Sequence, residues 1–389
     1  MSTTGIRLDA AEGADALDDR SVLGDRDESA IELRAVTVRT TSFNQYGSGY
    51  QSKAGPVAGP GSERATIYEP QLEVVAAQGR HLTHTIRIPI DVVSAASPDA
   101  VDRGPGSADV VSGASRLVLS GTLDWASTYA FEPGSTVTMD AGLHLEEPFR
   151  SWHGGLSWTC PLADGDTLVS ANVLQVYDWF DRFDPTGHRF GRTNRSTTSA
   201  SAGVTQTLTP TTLLAANYGL TLQRGELGNT WNSVPVAEGG GVDRGPELLP
   251  NQRLRHALVA RALQFLPWDG ALRLHYRFYA DDWGLRAHSL EAQLLQRLSP
   301  AVYVGAVYRF HTQTGVDFFT TLAGAAARLR TADSDLAPFQ AHTVGGKVVV
   351  DLPLSEGARA LHFELGYERY VRSNDLSMDI VTCATGYRF

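Results

Sequence analysis

The C-terminal segment Ile380–Phe389 carries two different kinds of side chain on the two faces of an extended strand. Successive side chains of a strand point to opposite faces, so residues two apart share a face. One face is mostly apolar and holds Val381, Cys383, Thr385, Tyr387 and Phe389. The other face holds small residues and one arginine. The segment therefore predicts a half-buried β-strand that ends on an aromatic residue.

The same alternation recurs along the chain and predicts about sixteen antiparallel strands. The segments are Ile31–Tyr46, Tyr68–Ala77, Thr83–Ala95, Arg116–Tyr129, Val137–Glu147, Trp152–Pro161, Thr167–Trp179, Ser196–Leu208, Leu213–Gln223, Arg253–Phe265, Ala271–Tyr279, Leu285–Leu298, Val302–His311, Thr343–Leu352, Leu361–Tyr370 and Met378–Phe389. Long and short connectors separate them in turn. An even strand number places both termini at the same end of a ring and every long connector at the other end.

Composition is compatible with a membrane-spanning barrel and argues against transmembrane helices. Charged residues make up 20% of the 389 residues and hydrophobic residues 42%. No run of about 18 apolar residues occurs, as a transmembrane helix would require. Lipid-facing and lumen-facing residues alternate in a barrel, so its strands show no such run. The sequence predicts an all-β, transmembrane, up-and-down barrel with short periplasmic turns and long external loops.

The N-terminal residues 1–30 form a separate, acidic segment. The segment has neither a basic start nor an apolar stretch, so it does not have the pattern of a signal peptide. Its many carboxylates predict a flexible, solvated leader, and residues 31–389 form the barrel. Because a barrel of this type must be exported, we expect a signal peptide to have been removed and the protein to reside in the bacterial outer membrane.

Two resemblances support this prediction. The C-terminal strand resembles the closing strand of Gram-negative outer-membrane barrels, whose last aromatic residue belongs to the assembly signal; Phe389 would then be recognised by the barrel-assembly machinery. The second resemblance is to an uncharacterised outer-membrane β-barrel family described only as a domain of unknown function, and it runs from about Ile31 to Phe389. It rests on the segments Val111–Ser115, Asn229–Trp231, Arg255–Val259, Tyr276–Gly284, Ala287-His288, Tyr308–Phe310 and Thr312–Thr314. The resemblance implies a barrel but no catalytic residue.

If the apolar face contacts lipid, the other face lines the lumen and carries clustered charges. The candidate lumen-lining residues for solute selectivity are Arg253, Arg255, Arg261, Arg273, His275, Arg277, Arg309, His311, Glu364 and Glu368. The first eight form a basic wall in which Glu291 is the single acidic residue on the four central strands. Further inward carboxylates are predicted at Glu69, Glu73, Asp91, Asp124 and Asp140.

Two interpretations of these charges remain open. The arginines could pair with carboxylates and stiffen the interior, because an unpaired buried ion is costly. Alternatively, facing walls of opposite sign could create a transverse field that selects small polar or anionic solutes.

Other classes of function find little support in the sequence. The net charge of −10 and the absence of a basic block argue against a nucleic-acid partner. Histidines near strand ends lie in no nucleophile motif, namely His144, His153, His188, His288 and His342. Cys160 and Cys383 are too far apart in the predicted ring to form a disulfide. We therefore expect no enzymatic activity, cofactor or metal.

The sequence thus predicts a channel or porin-like pore for small polar or anionic solutes. One alternative is a non-conducting scaffold or export partner whose lumen is filled. Another is a surface-binding protein that acts through the loops Gly47–Ala65 and Arg224–Pro250. Outer-membrane lipid and lipopolysaccharide are the expected surroundings, and a protein partner in the periplasm or lumen remains open.

Overall fold

The computed structural model describes residues 30–47, 65–95, 117–132, 134–147, 149–162, 165–183, 188–228, 233–354 and 359–389. The strands in these residues are β1 (Ile31–Gly47), β2 (Ala65–Gln78), β3 (Leu82–Ala95), β4 (Leu117–Ala130), β5 (Thr136–Glu146), β6 (Phe149–Leu162), β7 (Thr167–Phe183), β8 (Arg189–Thr209), β9 (Thr212–Gly225), β10 (Ser233–Glu238), β11 (Gly241–Pro246), β12 (Gln252–Leu266), β13 (Gly270–Asp281), β14 (Arg286–Ser299), β15 (Val302–Gln313), β16 (Ala323–Gly324), β17 (Phe339–Pro353), β18 (Ala360–Arg372) and β19 (Leu376–Arg388). Residues 1–29, the predicted leader, lie outside the described part.

Sixteen of these strands form one closed antiparallel barrel. Each barrel strand pairs with the barrel strands before and after it in the sequence, and β1 closes the ring by pairing with β19. The closing register matches Val36 with Tyr387 and Thr40 with Cys383. The predicted fold class, a transmembrane up-and-down barrel, is confirmed. No helix within the described ranges is long and apolar enough to cross a bilayer.

The two ends of the barrel differ in their connections. At one end the strands are joined by tight turns, such as residues 79–81 between β2 and β3 and residues 267–269 between β12 and β13. Gly79 and Asp269 have positive φ angles of 61° and 59° in these turns, a conformation that glycine and aspartate tolerate best. The other end carries the long connections. In bacterial barrels the short turns face the periplasm and the long loops face outward.

The two faces of the wall carry different side chains. Leu258, Leu274, Leu290 and Tyr308 are 48%, 42%, 54% and 46% exposed, and the register places them on the same face of neighbouring strands. This is the outer face, which contacts lipid in a barrel of this class. The opposite, inner face is polar and lines the interior.

The structure corrects one predicted boundary. The segment Asp181–Asn194, expected to be a long charged loop, is largely strand, because β7 runs to Phe183 and β8 begins at Arg189. Charge pairing across the two strands supports this extension. Arg189 Nη2 lies 2.8 Å from Asp181 Oδ1, and Arg192 Nε lies 3.3 Å from the same atom. The charges that indicated a solvated loop therefore neutralise one another along a strand pair.

A second correction concerns the connections at 226–251 and 314–338, where the strand pattern predicts only the loops Arg224–Pro250 and Thr314–Pro338. They contain a small sheet in the order β11-β10-β16. Val234, Val236 and Ala323 of this sheet are buried together with Ala332. In the described residues the compact apolar clusters thus lie in these connections and against the mouth of the barrel. We call the two connections together the cap.

Candidate functional site: the charged inner wall and its cap

The predicted selectivity residues all lie on the inner face of the barrel. They occupy β12 (Arg253, Arg255, Arg261), β13 (Arg273, His275, Arg277), β15 (Arg309, His311) and β18 (Glu364, Glu368). The register forms a row across four strands, in which Arg261 is opposite His275, His275 opposite Glu291, and Glu291 opposite Arg309. Glu364 and Glu368 are separated from this row by β17. Their role in selectivity stays a prediction.

Two of the predicted arginines are neutralised by carboxylates. Arg309 Nε and Nη2 lie 2.7 Å and 2.5 Å from Glu291 Oε2. Arg253 Nε and Nη2 lie 2.9 Å and 2.5 Å from Asp281 Oδ2. Since the Asp281 side chain is fully buried, its ion pair with Arg253 is structural. For these two arginines the structural interpretation of the wall is therefore the better one.

Three others, Arg261, Arg273 and Arg277, are exposed on the inner face. None of them forms an ion pair with a carboxylate in the described part of the chain. Each is on β12 or β13, and all three surround His275 in the register. An exposed guanidinium presents up to five donors in a planar fork that suits carboxylate or phosphate groups. These three residues, which we call the arginine triad, are the part of the wall that remains available to a passing anion.

An acidic wall lies on β3 to β5, five to eight strands from β12 and β13 in the ring of sixteen. Asp124 and Asp140 flank one imidazole, because His153 Nε2 lies 3.6 Å from Asp124 Oδ1 and 4.0 Å from Asp140 Oδ2. This crowding requires glycine at two neighbouring inner positions. A Cβ at Gly142 would overlap His153 and Asp124, and a Cβ at Gly155 would overlap Asp140. The sequence pattern showed the carboxylates but not the glycines that make room for their contacts.

The histidines considered for catalysis are dispersed. His144 and His153 lie on the inner face, where His144 Nδ1 is 2.8 Å from Thr122 Oγ1. His288 and His342 lie on the outer face. No group of three or more His, Cys, Asp and Glu side chains in the described ranges is arranged to hold a metal ion.

The connection between β13 and β14 anchors the cap. It was predicted to be unusually tight, and β14 indeed begins at Arg286, shortly after Asp281. Asp281 accepts hydrogen bonds from the Tyr279 hydroxyl at 2.8 Å and from the amides of Trp283 and Leu285 at 3.0 Å each. The Asp281 carboxylate therefore caps two backbone amides of this turn. The Trp283 ring stacks under Arg253, with 4.3 Å between the guanidinium carbon and the ring centroid.

The cap packs onto this anchor and onto the inner face. Trp283, Leu285 and Val316 are buried together with the inner residue Ala287. Side chains from both connections contact this cluster, namely Leu227, Leu249, Phe318, Phe319 and Leu336. Because Ala287 faces inward, the cap covers part of the inner wall at the long-loop end. Sequence reasoning missed this, although alternating Val234-Pro235-Val236 before Gly239-Gly240 is a hairpin signal.

A short segment of the cap is tied to β15 and β18. Gln313 donates from Nε2 to the carbonyls of Asp335 and Ala337 at 2.9 Å and 2.7 Å. Arg372 Nη2 forms an ion pair with Asp335 Oδ1 at 2.6 Å, and its guanidinium stacks 4.3 Å from the Phe339 ring centroid. Beside this contact, burial and the neighbouring Asp335 raise the pKa of Asp333 to about 6. The segment is therefore a polar latch between the cap and the wall.

Comparison with known proteins shows the following. No curated protein sequence matches the chain. The solved structure of a "Bacterial polysaccharide outer membrane secretin" is 7% identical with a TM-score of 0.46, and the alignment covers 91% of this chain and 98% of that one. The outer membrane protein OpdK from Pseudomonas aeruginosa is 8% identical with a TM-score of 0.42, covering 92% and 98%. The ferric enterobactin receptor from Pseudomonas aeruginosa is 12% identical with a TM-score of 0.42, covering 88% and 54%.

A family model matches residues 160–383. This range contains the segments from Arg255 to Thr314 on which the resemblance rested, and it is shorter than the expected range of Ile31 to Phe389. Two of the quoted segments, at 111–115 and 229–231, lie outside the described residues. Because the match extends over more than half of the sequence, the chain belongs to the family described as "Protein of unknown function (DUF3570)".

Proposed function

We propose that the barrel is an outer-membrane channel for small polar solutes and that it prefers anions. The observation that carries this proposal is the arginine triad, three exposed guanidinium groups on the inner face without a carboxylate partner in the described residues. The acidic wall on β3 to β5 lies five to eight strands from the triad in the ring of sixteen. Opposed charged walls produce a field across the lumen that attracts solutes of one sign to each side.

Reversal potentials in planar bilayers test the proposal. With a salt gradient across the bilayer, we expect the wild-type channel to be more permeable to the anion. The triple variant Arg261→Gln, Arg273→Gln, Arg277→Gln should lose this preference, because the triad supplies the uncompensated positive charge. The matched control is Arg150→Gln, Arg189→Gln, Arg192→Gln, which removes the same number of positive charges from the outer face. Cation preference of the wild type, or equal effects of both variants, would refute the anion proposal.

A non-conducting scaffold is the second candidate, and the cap favours it. The cap covers inner-face residues at the long-loop end and could close the mouth in the resting state. In this case the wild type would show no conductance, and release of the latch between Asp335 and Arg372 would not create any. Current through the wild type would reject this candidate. The surface-binding alternative rests partly on the loop Gly47–Ala65, most of which lies outside the described residues.

Location and assembly partners follow from the same proposal. The C-terminal strand presents Tyr387 and Phe389 in edge-to-face contact, with ring centroids 4.6 Å apart. We propose that the barrel-assembly machinery recognises this end. Deletion of Phe389 should reduce the amount of heat-modifiable barrel in outer-membrane fractions, whereas Phe389→Tyr should retain it. Equal recovery of the deletion variant and the wild type would contradict the assignment.

A further inference from the structure

The outer face carries a repeated arrangement that the channel proposal does not use. Tyr276-Arg277-Phe278 on β13 and Tyr308-Arg309-Phe310 on β15 each direct the arginine inward and the two aromatic rings outward. In both cases the imidazole of a histidine on the next barrel strand lies between the two rings. Tyr276 Oη lies 2.8 Å from His288 Nδ1, and the Phe278 and His288 ring centroids are 5.1 Å apart.

The second copy has nearly the same geometry. Tyr308 Oη lies 2.9 Å from His342 Nδ1, and the Phe310 and His342 centroids are 5.2 Å apart. A third pair on β9 and β12 joins Tyr218 Oη to His256 Nδ1 at 2.7 Å. All three histidines lie within a few residues of the long-loop end of their strands. They therefore form a belt at one height on the lipid side of the wall.

An aromatic girdle alone does not require these imidazoles. Tyrosine and tryptophan provide the interfacial girdles of membrane barrels, whereas a polar ring on the lipid face is costly unless it has a partner. Each Nδ1 is satisfied by a tyrosine hydroxyl. A hydroxyl that donates to Nδ1 leaves the ring proton on Nε2. With the hydroxyls assigned as the donors, the belt offers three N–H groups on the outer face near the long-loop end.

Arginines reinforce the positive character of the belt. Arg286 lies on the same face of β14 as His288, one step closer to the long-loop end, and Arg224 lies on the outer face of β9 near the same end. Both are exposed. The neighbouring carboxylates are engaged elsewhere: Asp282 accepts the amide of Leu254 at 2.9 Å, and Asp379 pairs with Arg369 at 2.6 Å.

We infer that this belt, composed of His256, His288, His342, Arg224 and Arg286, binds the phosphate groups of a phosphorylated glycolipid of the outer leaflet. The inference rests on the proposed outer-membrane location and is independent of conduction. The histidine N–H groups and, closer to the long-loop end, the arginine guanidinium groups would hold a phosphate. This phosphate would lie at the boundary between the acyl chains and the sugars of the glycolipid. Charge-assisted hydrogen bonds to phosphate are stronger than those between neutral groups. The lipid would lie against the six barrel strands from β9 to β17.

Retention of a defined glycolipid tests the inference. The purified full-length chain is refolded into phosphatidylcholine vesicles that contain either diphosphoryl lipid A or its dephosphorylated form. The barrel is then extracted in mild detergent, and native mass spectrometry counts the glycolipid that remains bound. The wild type should retain the diphosphoryl form and little of the dephosphorylated form. The variant His256→Leu, His288→Leu, His342→Leu should retain at least about tenfold less, since the loss of even one hydrogen bond to a charged group costs about a factor of ten.

Two further variants keep the test decisive. The variant Tyr218→Phe, Tyr276→Phe, Tyr308→Phe removes the hydrogen bonds to the three imidazoles but keeps the imidazoles. It should retain an amount of lipid A between that of the wild type and that of the histidine variant. The control His84→Leu, Arg150→Gln changes outer-face residues outside the belt, since His84 stacks on Trp125 near the short-turn end, and it should retain wild-type amounts. Heat-modifiable migration on gels verifies that each variant has folded.

The inference would be overturned if the histidine variant retained as much lipid A as the wild type, or if the control lost as much as the variant. Equal retention of the dephosphorylated lipid would also overturn it, because phosphate would then play no role. A dimer of barrels that the histidine variant disrupts, with unchanged lipid retention, would identify a second copy as the occupant instead. None of these results depends on conductance, so failure of the glycolipid inference can be distinguished from failure of the channel proposal.

Discussion

Arg372 on β18 holds the cap against the inner wall through Asp335, with 2.6 Å between Nη2 and Oδ1. The same guanidinium donates from Nε to the Tyr370 hydroxyl at 2.7 Å. One side chain thus joins the wall to a connection that is distant in sequence. If the cap regulates entry, this contact determines how far the mouth opens.

Breaking this contact should loosen the cap. We expect Asp335→Asn to increase the single-channel conductance or the frequency of open events, and to increase proteolytic cleavage within residues 314–338, because the ion pair between Arg372 and Asp335 is lost. The matched control is Asp379→Asn, which breaks the ion pair with Arg369 on the outer face and should leave both measurements unchanged. Unaltered gating and cleavage in Asp335→Asn would show that the latch does not restrain the cap.

Asp333 should make the stability of the cap depend on pH. Its pKa is raised from 3.8 to about 6, so the folded cap binds this proton more tightly than the unfolded chain. Stability should therefore fall as pH rises from about 4 to about 6, and stay lower above that range. Asp333→Asn should remove this dependence, since its amide oxygen can still accept the Asp335 amide at 2.8 Å. Melting curves from near-UV circular dichroism at several pH values provide the measurement. A wild-type cap that gains stability with rising pH would contradict the expected sign.

Asp281 should be the most sensitive residue of the long-loop end. Asp281→Ala leaves Arg253 buried without its partner and removes the acceptor for two amides and one hydroxyl. Loss of one partner of a buried ion pair costs about 3–5 kcal/mol. We expect a lower midpoint of urea unfolding for the folded barrel, followed by tryptophan fluorescence. Asp282→Asn keeps the acceptor for the Leu254 amide and should change the midpoint little. Similar midpoints for both variants would exclude a central role for Asp281.

The inner glycines beside His153 should not tolerate a methyl group. Gly142→Ala and Gly155→Ala should each destabilise the barrel by about 1–3 kcal/mol, the usual cost of overpacking, because neighbouring side chains must move. Gly154→Ala is the matched control, since a Cβ there faces outward and meets only the Asp140 carbonyl at 3.8 Å. Urea unfolding of the three variants compares them directly. Equal stability of Gly142→Ala and Gly154→Ala would show that the wall can adapt.

Most of the barrel could be predicted from the sequence, and the reason is physical. Apolar and polar side chains alternate between the two faces of a strand, so the sequence pattern alone places Arg261, Arg277 and Arg309 on the same face. Strand ends were less certain where charges compensate each other, as Asp181 and Arg189 do. A single-strand pattern cannot show such pairing between strands.

The cap could not be predicted in the same way. Its contacts join residues such as Asp335 and Arg372 whose proximity depends on how a long connection folds back, and no periodicity encodes this path. The sequence pattern also does not distinguish arginines that pair with a carboxylate from arginines that are available to a solute. Arg309 and Arg277 look alike in the alternating pattern, but only Arg309 has Glu291 within reach.

The pairing of β1 with β19 has a consequence for biogenesis. The seam joins Ala35 with Arg388 and Gly47 with Leu376, so the ring cannot close before β19 has been synthesised. Every shorter nascent chain has two unpaired edges whose exposed amides and carbonyls invite aggregation. A chain truncated before β19 therefore keeps both edges open, although fifteen of its sixteen barrel strands remain.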